Sequence, residues 1–346
     1  MYALARPFLF ALDPRTAHAL AMAALLPLEW TPLRTVARAL FRPRDARLAR
    51  RVMGIDFPSP VGLAGGFDKD ATRARALGAL GFGFLELGTV TALAQTPNPR
   101  PNLFRLPADR ALVNRLGFPN DGAATVARRF AARGGARAVG VPVGFSIGKS
   151  RAVAIGDLEA VIADYTQSFL AVRGVADFVV VNVSSPNTKD LRALQGKQLA
   201  DGLLGALAAK NAEAGKKPLL VKVAPDLDDA ELDELLEVVD ARGLDGVVAT
   251  NTTIRRDGLV TPKERIDAIG AGGLSGRPLF PRALEIVRRV RAALPRIAVI
   301  GVGGVERGEH ARAMLDAGAD LVQLYTAFVY RGPLTARAIA RELLHG

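Results

Sequence analysis

From about residue 57 the chain repeats one pattern: a short apolar run, a turn of glycine and small polar residues, then a stretch with apolar positions at helical spacing. The apolar runs are PVGLA (60–64), FGFLEL (82–87), VGVPVGF (139–145), DFVVVN (177–182), LLVKV (219–223), DGVVAT (245–250), IAVIGV (297–302) and DLVQLY (320–325). Such near-continuous apolar runs predict strands buried on both faces, as in a parallel sheet wrapped by helices. Eight units in about 290 residues predict an α/β fold of the (β/α)8 TIM barrel type rather than an open doubly wound sheet.

In a barrel of this kind the chemistry sits on the loops that follow the strands. Those loops read AGGFDKD (64–70), GTVT (88–91), SIGKS (146–150), NVSSPN (182–187), Lys222 with its neighbours, TNTT (250–253), GVGG (301–304) and Tyr325-Thr326. Two connections are long, 91–138 with NRLGFPN (114–120) and 251–296 with GGLSGRP (272–278), and excursions of that size are expected to cover a site.

The beginning of the chain follows another rule. Asp13-Pro14 and Thr31-Pro32 each place an N-cap residue before a proline at the first helical position, predicting helices over about 2–11, 14–27 and 32–41. Phe8, Leu9, Leu12, Leu20, Leu25, Leu26 and Trp30 give them an apolar side fringed with arginine. The longest uncharged run, Thr16 to Leu28, has 13 residues, against roughly 20 needed to cross a bilayer. The segment is read neither as a signal peptide nor as a membrane span. It is either a cap packed on the barrel or a surface that lies on an anionic membrane. The expected division is a helical hood at 1–45 and a barrel domain at 46–346.

Charge bears on that choice. The formal net charge of the 346 residues is +12, and residues 1–51 hold nine arginines against three acids, a net of +6. Half of the excess therefore lies in the first seventh of the chain. An excess of this kind asks for an anionic partner: nucleic acid, a membrane surface or acidic small molecules. Arg6, Arg15, Arg34 and Arg38 are expected to face lipid headgroups. The chain has no cysteine, which excludes disulfides, thiolate catalysis and iron–sulfur clusters, and its three histidines, His18, His310 and His345, lack metal-ligand spacing, so no metal is expected.

Three motifs carry candidate chemistry. GVGG after the seventh strand, followed by a helical stretch, offers backbone amides and a helix N-terminus to a phosphate. Lys222 inside LLVKVAP and Lys69 in GFDKD are expected to direct cations into the mouth, either to hold a carboxylate or to offset charge on the N1 side of a reduced flavin. GFSIG (144–148) matches the serine-hydrolase elbow with Ser146 as nucleophile, but the elbow turns directly into a helix and GKSRAVAIGD follows here. No G-x-G-x-x-G occurs, so a dinucleotide fold has no support.

Taken in order from 62 to 305, GLAGGFDKD, LELGTVT, NRLGFPNDG, NVSSPNT, VKVAPD, ATNTT, GGLSGRP and IGVGGV resemble the dihydroorotate dehydrogenases, specifically the quinone-linked, membrane-associated class. The resemblance implies an FMN-containing barrel that oxidises dihydroorotate to orotate in pyrimidine synthesis and passes electrons to a membrane quinone. The soluble class uses a cysteine base; here Ser185 stands at the matching place and becomes the implied catalytic base. FMN is implied to be held by Ala64, Gly65, Thr89, Ser146, Asn182, Lys222, Thr250, Ser275, Gly276, Gly303, Gly304, Tyr325 and Thr326. Substrate is implied to meet Lys69, Asn114, Arg115, Leu116, Gly117, Phe118, Asn182, Asn187, Asn251 and Thr252. His18 and Arg105 match residues lining the quinone path, with a structural capping role the alternative for His18.

One departure stands out: Ser146 replaces an asparagine usual in the family, a shorter side chain with fewer bonding groups. The resemblance further implies a peripheral protein on the cytoplasmic face of the cell membrane, with an anionic membrane surface and no nucleic acid as partner. The competing readings are another FMN barrel, such as a tRNA-uridine reductase, and a serine hydrolase using Ser146.

Overall fold

Alternation along eight short strands decides what fills this molecule. A computed structural model describes residues 2–345; Met1 and Gly346, the outer ends of the two expected segments, lie outside the described residues. The strands β1 (Val61–Leu63), β2 (Phe84–Val90), β3 (Val143–Ile147), β4 (Phe178–Asn182), β5 (Leu219–Val223), β6 (Gly246–Ala249), β7 (Ala298–Val302) and β8 (Leu321–Leu324) are parallel and close into a barrel in sequence order. The predicted architecture is present. Its third strand is displaced: 139–145 was the expected run, but Gly135–Val139 is a short helix ended by Gly140 in the left-handed region (φ 77°). The strand starts only after Pro142, which has no N–H for the ladder.

Successive side chains on a strand point to opposite faces. Phe84, Val180, Leu220 and Leu321 share one buried cluster with Phe57, Phe178, Val248 and Ile300, which fills the lumen. Two residues further along the same strands, and hence on the same face, stand Glu86, Asn182, Lys222 and Gln323. The lumen is thus apolar below and polar at its mouth. A hairpin of Arg50–Val52 and Ile55–Phe57 closes the lower end, with Phe57 edge-on to Phe84 at 5.4 Å between centroids.

Both long connections fold over the mouth, and they do so as one element. Leu103–Leu106, Ala111–Asn114 and Gly273–Gly276 form an antiparallel three-stranded sheet. Strands of four residues, one of them half glycine, give no readable alternation, so only the excursions were foreseen.

The leader forms α1 (Tyr2–Ala11), α2 (Pro14–Ala24) and α3 (Thr31–Phe41). Asp13 caps α2 as predicted, its Oδ1 accepting from the Arg15 and Thr16 amides at 3.0 and 3.1 Å. Two details differ. α2 stops short of residue 27 because a 3-10 turn over Leu26–Glu29 contains Pro27, and Thr31 lies inside α3, its hydroxyl accepting from Arg34 Nη2 at 3.3 Å instead of capping. Glu29 docks the leader on the barrel by pairing with Arg75 at 2.7 Å. Arg34 is buried and donates to the Glu29 carbonyl at 2.9 Å, and Arg38 donates to the Ala138 carbonyl at 2.6 Å. Those two arginines are fasteners, not membrane contacts, because their guanidinium groups satisfy carbonyls at the ends of other elements. Leu4, Phe8 and Trp30 remain 77%, 75% and 63% exposed, and Val36 and Leu40 on α3 are exposed too, so the leader keeps large apolar side chains uncovered. Among the described residues no helix is long and apolar enough to cross a membrane.

Candidate functional site

The strand ends converge on a cavity with an atom-free volume of about 1030 Å3, open at the mouth. Of the predicted site residues it brings together Ser185, all of the substrate group except Arg115, and all of the cofactor group except Ser146. Arg115 turns away to the carbonyls of Pro101 and Ala271, at 3.2 and 2.9 Å, and lies over the Phe104 ring; it fastens the two excursions to each other. Ser146 is fully buried behind Thr89, with the two hydroxyl oxygens 2.9 Å apart. A nucleophile needs an open approach, which this serine lacks.

The polar knot NVSSPN is a connected network. Asn182 Nδ2 donates to Thr89 Oγ1 at 3.0 Å, while its Oδ1 accepts from Asn251 Nδ2 at 3.1 Å. Asn187 Nδ2 donates to Asn114 Oδ1 at 3.1 Å, tying the knot to the sheet over the mouth. The Asn187 amide donates to Ser185 Oγ at 3.2 Å, which fixes the hydroxyl oxygen and leaves its proton free. Lys69 Nζ donates to the Gly66 carbonyl. Burial, reinforced by the charge of Arg15, pulls this lysine down to about 8.

Another stretch of the wall is a glycine turn, a cup that could hold an anion. Gly303 and Gly304 have φ of 137° and 70°, and a Cβ on Gly304 would stand 2.6 Å from Phe280 Cβ. Only glycine lets the backbone come this close. Ser275 Oγ and Thr326 Oγ1 face each other at 2.8 Å beside the cup. A glycine turn with two hydroxyls beside it and Lys222 in the same cavity suit a flavin with a phosphorylated side chain. Gln323 Oε1, buried in the same cavity wall without a partner, adds a free acceptor.

A second, mainly apolar cavity separates hood from barrel. Leu9, Ala17, Ala21 and Leu25 line it from the leader, and Phe67 and Phe328 from the barrel. Tyr325 borders both cavities. His18 and Arg105 are both in its wall. His18 meets the Phe67 ring edge-on at 4.9 Å, and burial with the nearby Lys69 charge lowers it to about 4, so the imidazole is neutral at physiological pH. Arg105 donates to the Leu12 carbonyl at 2.8 Å and covers the Phe10 ring, closing the end of α1.

Several supporting residues were not foreseen. Arg192 donates to the carbonyls of Ser184 and Thr252 and pairs with Asp226 at 2.7 Å, so one side chain braces two site loops. Tyr165 OH donates to the Asn182 carbonyl at 2.9 Å. The bonds from Arg192 to Asp226 and Thr252 span 34 and 60 residues and Tyr165 reaches from a helix to a strand end, so no local signature marks them. Glu86 did carry a signal, a charge inside the apolar run FGFLEL, the same sign that singled out Lys222.

A family profile described as dihydroorotate dehydrogenase matches residues 47–346. The chain belongs to the dihydroorotate dehydrogenase family. A Clavibacter michiganensis protein named dihydroorotate dehydrogenase (quinone) is 52% identical over 345 residues, spanning 99% of this chain and 97% of the relative. A Chloroflexus aurantiacus protein of the same name is 48% identical over 351 residues, spanning 98% and 94%. Among solved structures, DHODH from Eimeria tenella in complex with ferulenol superposes with a TM-score of 0.84 at 32% identity, covering 96% of this chain and 91% of that one. Its ligand-free form gives 0.81 at 34% identity, covering 94% of each chain. Dihydroorotate dehydrogenases are flavin-dependent oxidoreductases, and the hydrolase and tRNA-reductase readings lose their support.

Proposed function

We propose that the flavin is FMN, that Ser185 is the base, and that the hood brings a membrane quinone to the barrel. The family reaction is oxidation of dihydroorotate to orotate in pyrimidine biosynthesis, and this chain performs it with a quinone as final acceptor. One observation supports the assignments most: Ser185, Lys69 and the carboxamides of Asn114, Asn182, Asn187 and Asn251 share a cavity with the glycine cup.

Ala64, Gly65, Thr89, Asn182, Lys222, Thr250, Ser275, Gly276, Gly303, Gly304, Tyr325 and Thr326 would hold FMN, with Ser146 acting through Thr89. When bound, the flavin supplies the acceptor for the hydride from C6. The chain's own work is to orient the ring and move a proton. Lys69 meets the substrate carboxylate, and the four carboxamides match the amide edges of the ring. Leu116, Gly117 and Phe118 close over it. Ser185 Oγ takes the proton from C5. A hydroxyl is a weak base, so its own proton must leave as the new one arrives. Thr188, three residues on, has a buried hydroxyl with no partner and is the proposed relay, accepting that proton while its own passes on to water. A single phosphate cup argues for a mononucleotide. Mass spectrometry of cofactor released from the purified protein should give FMN; FAD, or no flavin, would overturn this.

Orotate affinity should follow Lys69. The lysine carries its charge below about pH 8 and loses it above. Holding all else constant, the orotate dissociation constant should rise roughly eightfold between pH 7.5 and 9, the ratio given by one titrating cation. Titration of flavin absorbance with orotate measures it. The rise should vanish in Lys69→Ala, whose affinity is already low, and a rise that persists there would assign it to another group.

The same proposal divides the chain into a hood at 1–45 and a catalytic barrel at 46–346. The uncovered apolar side chains of α1 and α3, together with the exposed Arg6, Arg42 and Arg44, suit peripheral attachment to the anionic cytoplasmic face of the cell membrane rather than nucleic acid.

A further inference from the structure

Glu86 sits where no charge-free core would put a carboxylate. It projects from β2 into the lumen with a fully buried side chain. Its Oε1 lies 3.5 Å from Lys222 Nζ, across the barrel on β5, and its Oε2 accepts from Gln323 Nε2 of β8 at 2.8 Å. The layer beneath is wholly apolar. Above it the chain makes room: a Cβ on Gly65 would stand 2.3 Å from Glu86 Oε1, so the end of β1 must be glycine for the carboxylate to fit. Glu86, Lys222 and Gln323 all face the cavity assigned to the flavin. Nothing in the substrate cradle touches Glu86, and the proton path from Ser185 does not use it.

We infer that Glu86 is a positioning residue that holds the Lys222 ammonium in place and partly cancels its field at the flavin, keeping the bound flavin less oxidising than an unpaired lysine would make it. The inference rests on the proposed seating of the flavin above Lys222. An unpaired cation near the ring stabilises the electron-rich reduced form. A carboxylate fixed beside that cation opposes it, and low polarity around the pair makes the opposition felt. The buried pair is thus a setting of the reaction's driving force as well as a fastening across the lumen.

Glu86→Gln isolates the charge. The amide can turn its oxygen to Lys222 and its NH2 to Gln323, whose Oε1 now lacks a partner and can accept. The network therefore re-forms without the negative charge. The probe is sulfite, which adds reversibly to oxidised flavin and leaves negative charge on the ring. In the holoenzyme carrying Glu86→Gln the sulfite dissociation constant should fall about tenfold, and the midpoint potential should rise by the equivalent of about 30 mV for a two-electron couple. A merely structural role would lower thermal stability and leave both readings where they were. Unchanged or weaker sulfite binding, with flavin bound at the wild-type stoichiometry, overturns the role of Glu86 alone. Should Glu86→Gln not fold, Glu86→Asp keeps the charge but withdraws it by one methylene, and sulfite affinity should rise about twofold; no rise there overturns the inference equally. Wild-type protein that neither carries nor accepts a flavin would overturn the seating of the flavin and the inference together.

Discussion

Ser185→Ala should slow anaerobic flavin reduction by dihydroorotate by about 10^2- to 10^4-fold, the range ascribed to a positioned acid–base group, while flavin content stays at the wild-type level. The hydroxyl is anchored by the Asn187 amide at 3.2 Å, lines the cavity, and makes no hydrogen bond to a residue proposed to hold the flavin. Removing one oxygen therefore leaves the cofactor seat untouched. The surrounding carboxamides are braced by Thr89, Asn251 and Asn114, so substrate should still bind with an affinity within a few-fold of wild type. Ser185→Cys should recover part of the rate, because a thiol also accepts a proton. Stopped-flow reduction separates binding from the chemical step. An alanine variant that reduces its flavin at the wild-type rate removes Ser185 from the mechanism.

Removal of residues 1–28 should abolish quinone reduction, a loss of at least about 100-fold, and spare reduction of the flavin by dihydroorotate. The cut is placed to keep Glu29, which pairs with Arg75 and receives the Ala76 amide, and α3, which is fastened through Arg34 and Arg38. What disappears is the leader wall of the apolar cavity, Leu9, Ala17, His18, Ala21 and Leu25 among it. Phe67 and Phe328 then face water, which costs stability at about 25 cal/mol per Å2 of apolar surface, so the variant is best prepared in mild detergent. Full quinone kinetics in the truncated protein would mean that the acceptor docks elsewhere, and efficient use of fumarate or NAD would place the chain in another class of the family.

Much of this was legible in the residues. Buried parallel strands leave unbroken apolar runs, so all eight barrel strands could be found, and a polar residue ending such a run, as in NVSSPN or LLVKV, is costly enough to mark a site. Other features leave no such trace. The strands over the mouth are too short and glycine-rich to show a period. A count of arginines gives the charge of the leader but not its direction, which is why Arg34 and Arg38 were expected at lipid and are found on backbone carbonyls. Braces such as Arg192 with Asp226 exist only once distant loops meet. Glu86 differs from these: its cue was in the sequence, but a single acid near the end of an apolar run reads as an interruption.

The sheet over the mouth fixes a distance. Asn114 stands opposite Gly273 in register, and Ser275 stands opposite Leu112 two places along. One hydrogen-bonded ladder therefore carries a proposed substrate contact at one end and a wall of the proposed phosphate cup at the other, from segments 159 residues apart in the case of Asn114 and Gly273. A strand can slip without inverting its side chains only by two residues, about 7 Å. The separation between the two ligands is consequently quantised: it cannot creep under thermal motion or by gradual substitution, and side chains at either end are free to vary while the gauge between them holds.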